Sequence, residues 1–236
     1  MHAIRFSGVR KLFAESPALD DVHLDIEPGE FFGLVGVNGA GKTTLIKCLL
    51  DFCSMDAGMI EIFGVSHREP SSREPLAFLP ERFTPPHYLK GRDFIDLMRR
   101  LYRAEFGDAE IESMMEALDL SREALQKPVR QFSKGMTQKL GLAGCLLAKR
   151  RLYVLDEPMS GLDPKARALL KAKLWAMRRD GTTVFFTSHA LVDVEELADR
   201  MAILHDGRLR FCGTPAELRE RFAATTLEDA FLRDIA

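Results

Sequence analysis

A glycine-rich segment near the amino terminus has the residue types needed to hold a chain of phosphates. Gly36–Thr43, here called the phosphate loop, follows the pattern G-x-x-x-x-G-K-[ST] between the β-prone run Phe31–Val35 and the helical run Thr44–Leu50. Glycines let backbone N–H groups wrap phosphates, and a helix start adds partial positive charge. We expect Lys42 to reach the β- and γ-phosphates of a nucleoside triphosphate and Thr43 to ligate Mg²⁺. The other residues expected to contact the nucleotide here are Gly36, Asn38, Gly39, Ala40, Gly41 and Thr44.

Two adjacent carboxylates follow a second β-prone run. Asp156 and Glu157 come directly after Leu152–Leu155, and α/β sheets bind ligands at the carboxyl ends of their strands. We expect Asp156 to hold Mg²⁺ through its water shell, and Glu157 to orient or deprotonate the water that attacks the γ-phosphate. Considered without the phosphate loop, the pair has an alternative interpretation, namely a polar strand end that opens a turn. Beside the phosphate loop, the pair favours hydrolysis.

Two further segments complete a pattern that covers nearly the whole chain. The phosphate loop is followed in order by Ser133–Lys139, by Leu155–Pro164 and by Thr187–His189. In their residues and in this order, these segments resemble the ATP-binding cassette (ABC) ATPase family. The resemblance implies that the nucleotide is ATP.

The resemblance also implies a site built from two subunits. Ser133 and Gly135, with Met136, would belong to the signature motif that meets the γ-phosphate of the ATP held by the opposite subunit, and Asp163 would lie in the segment that crosses the dimer interface. From the residues alone, Ser133 is an ordinary helix cap, and Asp163 caps a helix that opens with Pro164. Both roles are compatible with the same side chains.

Two single residues take their roles from the resemblance. His189 would be the switch histidine that contacts the γ-phosphate, whereas a lone histidine there is otherwise a strand-end residue. Phe13 would stack on adenine, which requires only an aromatic face, and its alternative is a core phenylalanine.

The sequence departs from the family at the position that normally supplies a glutamine near Mg²⁺. Glu81 occupies that position in the segment Leu76–Arg82, and no glutamine precedes Gln126. A carboxylate there adds a formal charge near the metal, so we expect Glu81 to be a third metal residue beside Thr43 and Asp156. We also expect it to link the metal to the helical region that begins after Pro86.

The spacing of apolar residues predicts an α/β fold, and the resemblance implies that it is a P-loop NTPase fold of the ABC type. Continuous apolar runs at Phe31–Val35, Leu152–Leu155 and Thr183–Thr187 predict a mainly parallel core sheet. Alternation around residues 4–26 predicts a small N-terminal antiparallel β subdomain. Helical spacing at residues 94–102 and 111–118 predicts an inserted helical subdomain over about 84–148. We expect one domain over residues 1–236, with a hairpin at Asp206 and Gly207 and a final amphipathic helix.

Composition excludes several function classes. The net charge of −2 gives no basic field for holding nucleic acid, and the longest apolar run, Leu140–Ala148, is far shorter than the roughly 18–20 residues that cross a bilayer. The start of the chain lacks the apolar core of a signal peptide, and the four cysteines form no metal-type pair, which favours the cytoplasm. Basic pairs and triplets, such as Lys149–Arg151, are interpreted as solvated helix faces.

The resemblance predicts a Mg-dependent ATPase subunit of an ABC transporter, peripheral on the cytoplasmic face of the membrane. It would work as a homodimer or heterodimer on an integral membrane permease. Lys134, Met136 and the tail Thr226–Leu232 resemble the exporter branch of the family. The first alternative is an ABC-type ATPase that is not engaged in transport, although the interval from Lys42 to Asp156 is too short for a long coiled coil. The second alternative is a small-molecule kinase, but that function gives the segment Ser133–Gln138 no role.

Overall fold

The computed structural model describes residues 1–14 and 16–235 of the chain. These residues form ten β-strands and eight α-helices. The strands are β1 (Ile4–Phe13), β2 (Ser16–Ile26), β3 (Phe31–Val35), β4 (Ala57–Ile62), β5 (Val65–Ser66), β6 (Leu76–Leu79), β7 (Leu152–Leu155), β8 (Thr183–Ser188), β9 (Arg200–His205) and β10 (Arg208–Gly213). The helices are α1 (Lys42–Leu49), α2 (Gly91–Leu101), α3 (Asp108–Ala117), α4 (Lys134–Leu146), α5 (Pro164–Arg178), α6 (Leu191–Leu197), α7 (Pro215–Arg221) and α8 (Leu227–Ile235).

Six strands form the core sheet, in the order β10-β9-β3-β8-β7-β6. The pairs from β9 to β6 are all parallel, and only the edge pair of β10 with β9 is antiparallel. Every residue of β3, β7 and β8 is buried, as expected for strands covered on both faces. The predicted α/β fold with a mainly parallel sheet is therefore confirmed. The carboxyl ends of β3, β7 and β8 also meet at one edge.

A second sheet contains four antiparallel strands in the order β2-β1-β4-β5. Ile4 and Phe6 are buried and face the core, whereas Arg5 between them is exposed. The same apolar cluster includes Leu45 and Leu49 of α1, so this sheet packs against the helix that follows the phosphate loop. The antiparallel N-terminal β region is confirmed, and β4 joins it from outside the predicted stretch.

Three α-helices occupy the chain between β6 and β7. Phe94 of α2 and Met115 of α3 are buried in one apolar cluster with Leu142 of α4. Helices α2 and α4 approach closely, because a Cβ added at Gly144 would lie 3.0 Å from atoms of both Phe94 and Met98. The boundaries of a separate helical subdomain over about 84–148 remain a prediction. Over the described part of the chain, no helix combines the length and the apolarity that crossing a bilayer requires.

The hairpin formed by β9 and β10 fastens the phosphate loop. Asp206 and Gly207 form its turn with φ angles of 46° and 75°, in the left-handed region that the dipeptide predicted. The N–H of Gly207 donates to the carbonyl oxygen of Ala40 over 3.1 Å, and its own carbonyl accepts from Asp20 over 2.8 Å. The loop, the second sheet and the hairpin therefore hold one another in place.

Candidate functional site

The phosphate loop joins β3 to α1. At two of its glycines, neighbouring backbone atoms leave no room for a side chain. A Cβ at Gly36 would overlap the carbonyl oxygen of Leu204, and one at Gly41 would overlap the carbonyl oxygen of Ala18. Gly41 also has a φ of 109°, which L side chains rarely adopt. The amino-terminal N–H groups of α1 directly follow it, so the loop has the form of an anion-binding cradle.

Lys42 is held inside this cradle. Its side chain is buried, and its Nζ atom donates to the carbonyl oxygen of Gly36 over 2.6 Å. Burial lowers the pKa of Lys42, while the negative charges of Glu157, Asp156 and Glu81 act in the opposite direction. The ammonium group and these three carboxyl groups thus lie within electrostatic range of one another.

Asp156 is anchored by two hydroxyl groups. Thr43 Oγ1 donates to its Oδ2 atom over 3.0 Å, and Thr187 Oγ1 donates to its Oδ1 atom over 2.6 Å. Burial raises the pKa of Asp156, and the hydrogen bonds from Thr187 and Thr43 oppose that rise. Both carboxylate oxygens are therefore fixed in direction beside the phosphate loop.

The oxygen atoms that meet beside the phosphate loop are suitable ligands for Mg²⁺. A threonine hydroxyl and a carboxylate meet at Thr43 and Asp156, and Glu81 reaches the same cavity. These are hard oxygen ligands, and Mg²⁺ is commonly held by one or two carboxylates together with water and substrate phosphates. Within residues 1–14 and 16–235, no group of three or more His, Cys, Asp or Glu side chains is placed to hold a metal alone. The residues thus fit a magnesium ion that a bound phosphate chain helps to ligate.

Glu157 and His189 form a contact above Asp156. The Oε2 atom of Glu157 lies 2.8 Å from Nδ1 of His189, and the N–H of Glu157 donates to Thr187 Oγ1 over 2.9 Å. The Glu157 side chain is 11% exposed, whereas that of His189 is 62% exposed. Glu157 also has a φ of 51°, an unfavourable value for a residue with a side chain. The turn therefore aims a nearly buried carboxylate at the cavity that the phosphate loop lines.

A single cavity of about 740 Å³ brings most of the predicted residues together. Its lining includes Phe13, Gly36, Asn38, Gly39, Ala40, Gly41, Lys42, Thr43, Thr44, Glu81, Asp156, Glu157 and His189. Arg82, Ser160 and Phe231 line it as well, although the sequence analysis did not predict them as site residues. Thr187 belongs to the segment Thr187–His189 that the sequence analysis singled out, but no role was predicted for its side chain. Its hydroxyl links the two adjacent carboxylate residues.

The remaining predicted residues do not line this cavity. Ser133 and Asp163 are exposed and cap helices: Ser133 Oγ accepts from the N–H of Met136 over 3.2 Å, and Asp163 Oδ1 accepts from that of Ala166 over 2.9 Å. The capping interpretation is thereby confirmed for both. Gly135 lies close to Gly161, whose carbonyl oxygen would be 3.1 Å from an added Cβ. These segments present polar groups away from the chain's own phosphate loop.

Phe13 lies on the open rim of the cavity. Phe13 is 53% exposed, and Nζ of Lys11 lies 5.4 Å from the centre of its ring. The alternative of a core phenylalanine is therefore wrong. An exposed ring beside a phosphate-binding loop is free to stack on a base.

The chain matches the sequence profile of the ABC transporter family over residues 19–160. It is 36% identical to an uncharacterized ABC transporter ATP-binding protein of Synechocystis sp. over 85% of this chain and 58% of that protein. It is 34% identical to the daunorubicin resistance ATP-binding protein DrrA3 of Streptomyces coeruleorubidus over 98% of this chain and 74% of that protein. The chain thus spans less than two thirds of the length of the first relative.

Solved structures share the fold. An ATP-binding subunit of an ABC transporter superposes with a TM-score of 0.89 and 27% identity, covering 98% of this chain and 99% of that one. A dimeric, post-hydrolysis ATP-binding cassette bound to ADP and Pi superposes with a TM-score of 0.80 and 20% identity. That match covers 89% of this chain and 98% of the other.

Proposed function

This chain belongs to the ABC transporter family, and on that premise we propose that it binds and hydrolyses ATP to drive a separate membrane-spanning partner. One observation supports the chemistry above all others. The phosphate loop, Asp156, Glu157 and His189 come from distant parts of the sequence and line one cavity. That combination suits phosphoanhydride hydrolysis, in which positioning and charge supply most of the catalysis.

Each residue has a task in the proposed reaction. Lys42 and the amides of the phosphate loop would hold the β- and γ-phosphates, and Phe13 would stack on adenine. Thr43, Asp156 and Glu81 would hold Mg²⁺, which neutralises charge developing on the phosphates. Glu157 would orient the attacking water and accept its proton, and His189, 2.8 Å from that carboxylate, would contact the γ-phosphate.

We propose that two subunits complete each site. Ser133, Gly135, Met136 and Asp163 lie outside the chain's own cavity and are exposed or partly exposed, so a second subunit could present them to the nucleotide. A capped helix start offers amides and a hydroxyl to an anion. ATP would then favour closure because closure adds contacts that the open state lacks. A solved ATP-binding cassette with the same fold is a dimer bound to ADP and Pi, which supports association of two subunits.

We propose that the partner is an integral membrane permease on whose cytoplasmic face the chain sits. The relative from Streptomyces coeruleorubidus is named for daunorubicin resistance, which agrees with the exporter branch indicated by the tail residues. Export is therefore the direction that we favour.

Capture from membranes tests the transport assignment. Tagged Glu157→Gln, incubated in Mg-ATP with detergent-solubilised membranes of the native host, should enrich a multi-spanning protein over an ATP-free control. Lys42→Ala serves as a matched bait that lacks the proposed nucleotide contact. Recovery of only soluble proteins by a bait that still dimerises on ATP would instead favour the ATPase that is not engaged in transport.

Glu81→Gln should weaken the response of hydrolysis to Mg²⁺. The substitution removes one negative charge beside the metal residues, so the Mg²⁺ concentration for half-maximal hydrolysis should rise about 3- to 10-fold. The measurement is phosphate release as a function of Mg²⁺ and pH, with Glu105→Gln, at an exposed position outside the cavity, as the control. If metal dependence and pH profile both remained those of the original chain, Glu81 would have no metal role.

A further inference from the structure

A second cavity lies at the amino-terminal ends of the core strands, whereas the nucleotide cavity lies at their carboxyl ends. It has a volume of about 640 Å³ and lies where β7 and β8 begin, against α3 and the ends of α4 and α5. The two cavities share no lining residue. The second one is thus separate from the proposed ATP site. It also contains the basic run Lys149–Arg151, which the proposed function does not use.

Positive charge predominates on the lining of this second cavity. Its carboxylates are Glu110 and Asp180, and Glu110 is engaged in an ion pair with Lys149. Its cationic side chains are Lys149, Arg150, Arg151 and Lys173. For the last three of these, no carboxylate of the described chain lies within ion-pair distance. Such a concentration of unpaired cations attracts an anion.

Arg150 has an unused hydrogen-bond donor. Its Nη2 atom donates to the carbonyl oxygen of Tyr102, and its guanidinium lies 5.7 Å from the centre of the Tyr102 ring. Its Nε atom is buried and has no hydrogen-bond partner among residues 1–14 and 16–235. A buried donor of a charged group without an acceptor is destabilising. Arg150 lines the cavity, so a bound anion would bring an acceptor close to this guanidinium group.

The rest of the cavity is largely apolar. Met114, Leu146, Leu147 and Met177 line it and are buried, together with the ring of Tyr153. The Tyr153 hydroxyl is already used, because it donates to the carbonyl oxygen of Leu146 and accepts from the N–H of Arg150. An inorganic anion would leave this apolar surface uncovered, whereas an anion with an apolar body would cover it.

We propose that this cavity binds a phosphate ester of an apolar group. The phosphate would pair with Arg150, Arg151 and Lys173, since guanidinium groups match two phosphate oxygens at once. The apolar part would pack on the methionine and leucine side chains. Two sources have this chemistry: a phospholipid headgroup of a bilayer and a free phosphorylated amphiphile.

Calorimetric titration with octyl phosphate tests this proposal. The full chain is first saturated with Mg-ADP, so that the probe does not compete for the phosphate loop. Octyl phosphate should bind at least about 10-fold more tightly than inorganic phosphate or the neutral octyl glucoside, because each of these lacks one half of the complementary chemistry. Equal affinity for octyl phosphate and octyl glucoside would overturn the proposal.

Two variants separate the cavity from the rest of the basic surface. Arg151→Gln with Lys173→Gln should weaken octyl phosphate binding at least about 10-fold, corresponding to the loss of two charged contacts. Arg150 is left in place because it also bonds to Tyr102. Arg179→Gln removes an exposed cation outside the cavity and should bind the probe like the original chain. An unchanged affinity in the double variant would refute the proposed site.

Sedimentation with vesicles distinguishes the two sources. If the natural ligand is a bilayer lipid, the chain should sediment with phosphatidylcholine vesicles containing phosphatidic acid, and the double variant should remain in the supernatant. Binding of octyl phosphate without vesicle binding would assign the cavity to a free phosphorylated amphiphile.

Discussion

Glu157→Gln is expected to bind Mg-ATP with nearly unchanged affinity while its hydrolysis rate falls at least about 100-fold. Glutamine has the size of glutamate, so it can keep the contact with His189 and the N–H bond to Thr187. It cannot accept a proton from water. The substitution therefore slows the hydrolysis step and leaves the binding of Mg-ATP intact.

The dimer provides a second readout of Glu157→Gln. Because ATP is retained, the closed form should accumulate, and light scattering after gel filtration should show a dimer in Mg-ATP but a monomer without nucleotide. The rate is followed by phosphate release. Glu195→Gln, whose side chain pairs with Arg219 away from the cavity, should behave like the original chain. Normal turnover by Glu157→Gln would exclude the role assigned to this carboxylate.

Lys42→Ala should lose ATP affinity by about 100-fold or more, since charged hydrogen bonds contribute roughly 1.5–3 kcal/mol each and this ammonium can make several. The substitution also leaves Asp156, Glu157 and Glu81 without the cation that they face, so the cavity becomes repulsive to phosphates. Lys42→Arg should not restore binding, because the larger planar guanidinium must fit a buried position inside the loop.

Fluorescent-nucleotide binding measures the effect of Lys42→Ala. Lys47→Ala is its matched control, because Lys47 lies on the same helix but is exposed and outside the cavity. Circular dichroism should show that both variants keep the native fold. Retained affinity in a folded Lys42→Ala protein would contradict the assignment of Lys42 to the phosphates.

Sequence reasoning works best where local pattern and burial agree. The continuous apolar runs at β3, β7 and β8 are buried on both faces in the structure, which is why they could be predicted as parallel strands. The phosphate loop was predictable because its glycines, lysine and threonine are adjacent in the chain. Local cues also predicted the caps at Ser133 and Asp163.

Features that depend on distant contacts escaped prediction. Thr187 acts by bonding to Asp156 and Glu157, 31 and 30 positions earlier in the chain, and no local pattern shows such pairing. Phe231 reaches the nucleotide cavity from α8, although its spacing indicated only an amphipathic helix. The basic run Lys149–Arg151 looked like a solvated surface because the apolar half of its cavity comes from other helices.

The hairpin that fastens the phosphate loop has a consequence for biosynthesis. A nascent chain makes the loop long before it makes the hairpin. The carbonyl of Leu204 that borders Gly36 and the N–H of Gly207 that binds Ala40 are added only after helices α1 to α6 have been synthesised. Such pairing of residues distant in sequence is slow to form, and domains generally fold as units. Until the hairpin has been synthesised, cellular ATP therefore meets an unfinished phosphate site, and we expect nucleotide capture to begin only after β9 and β10 have folded against the loop.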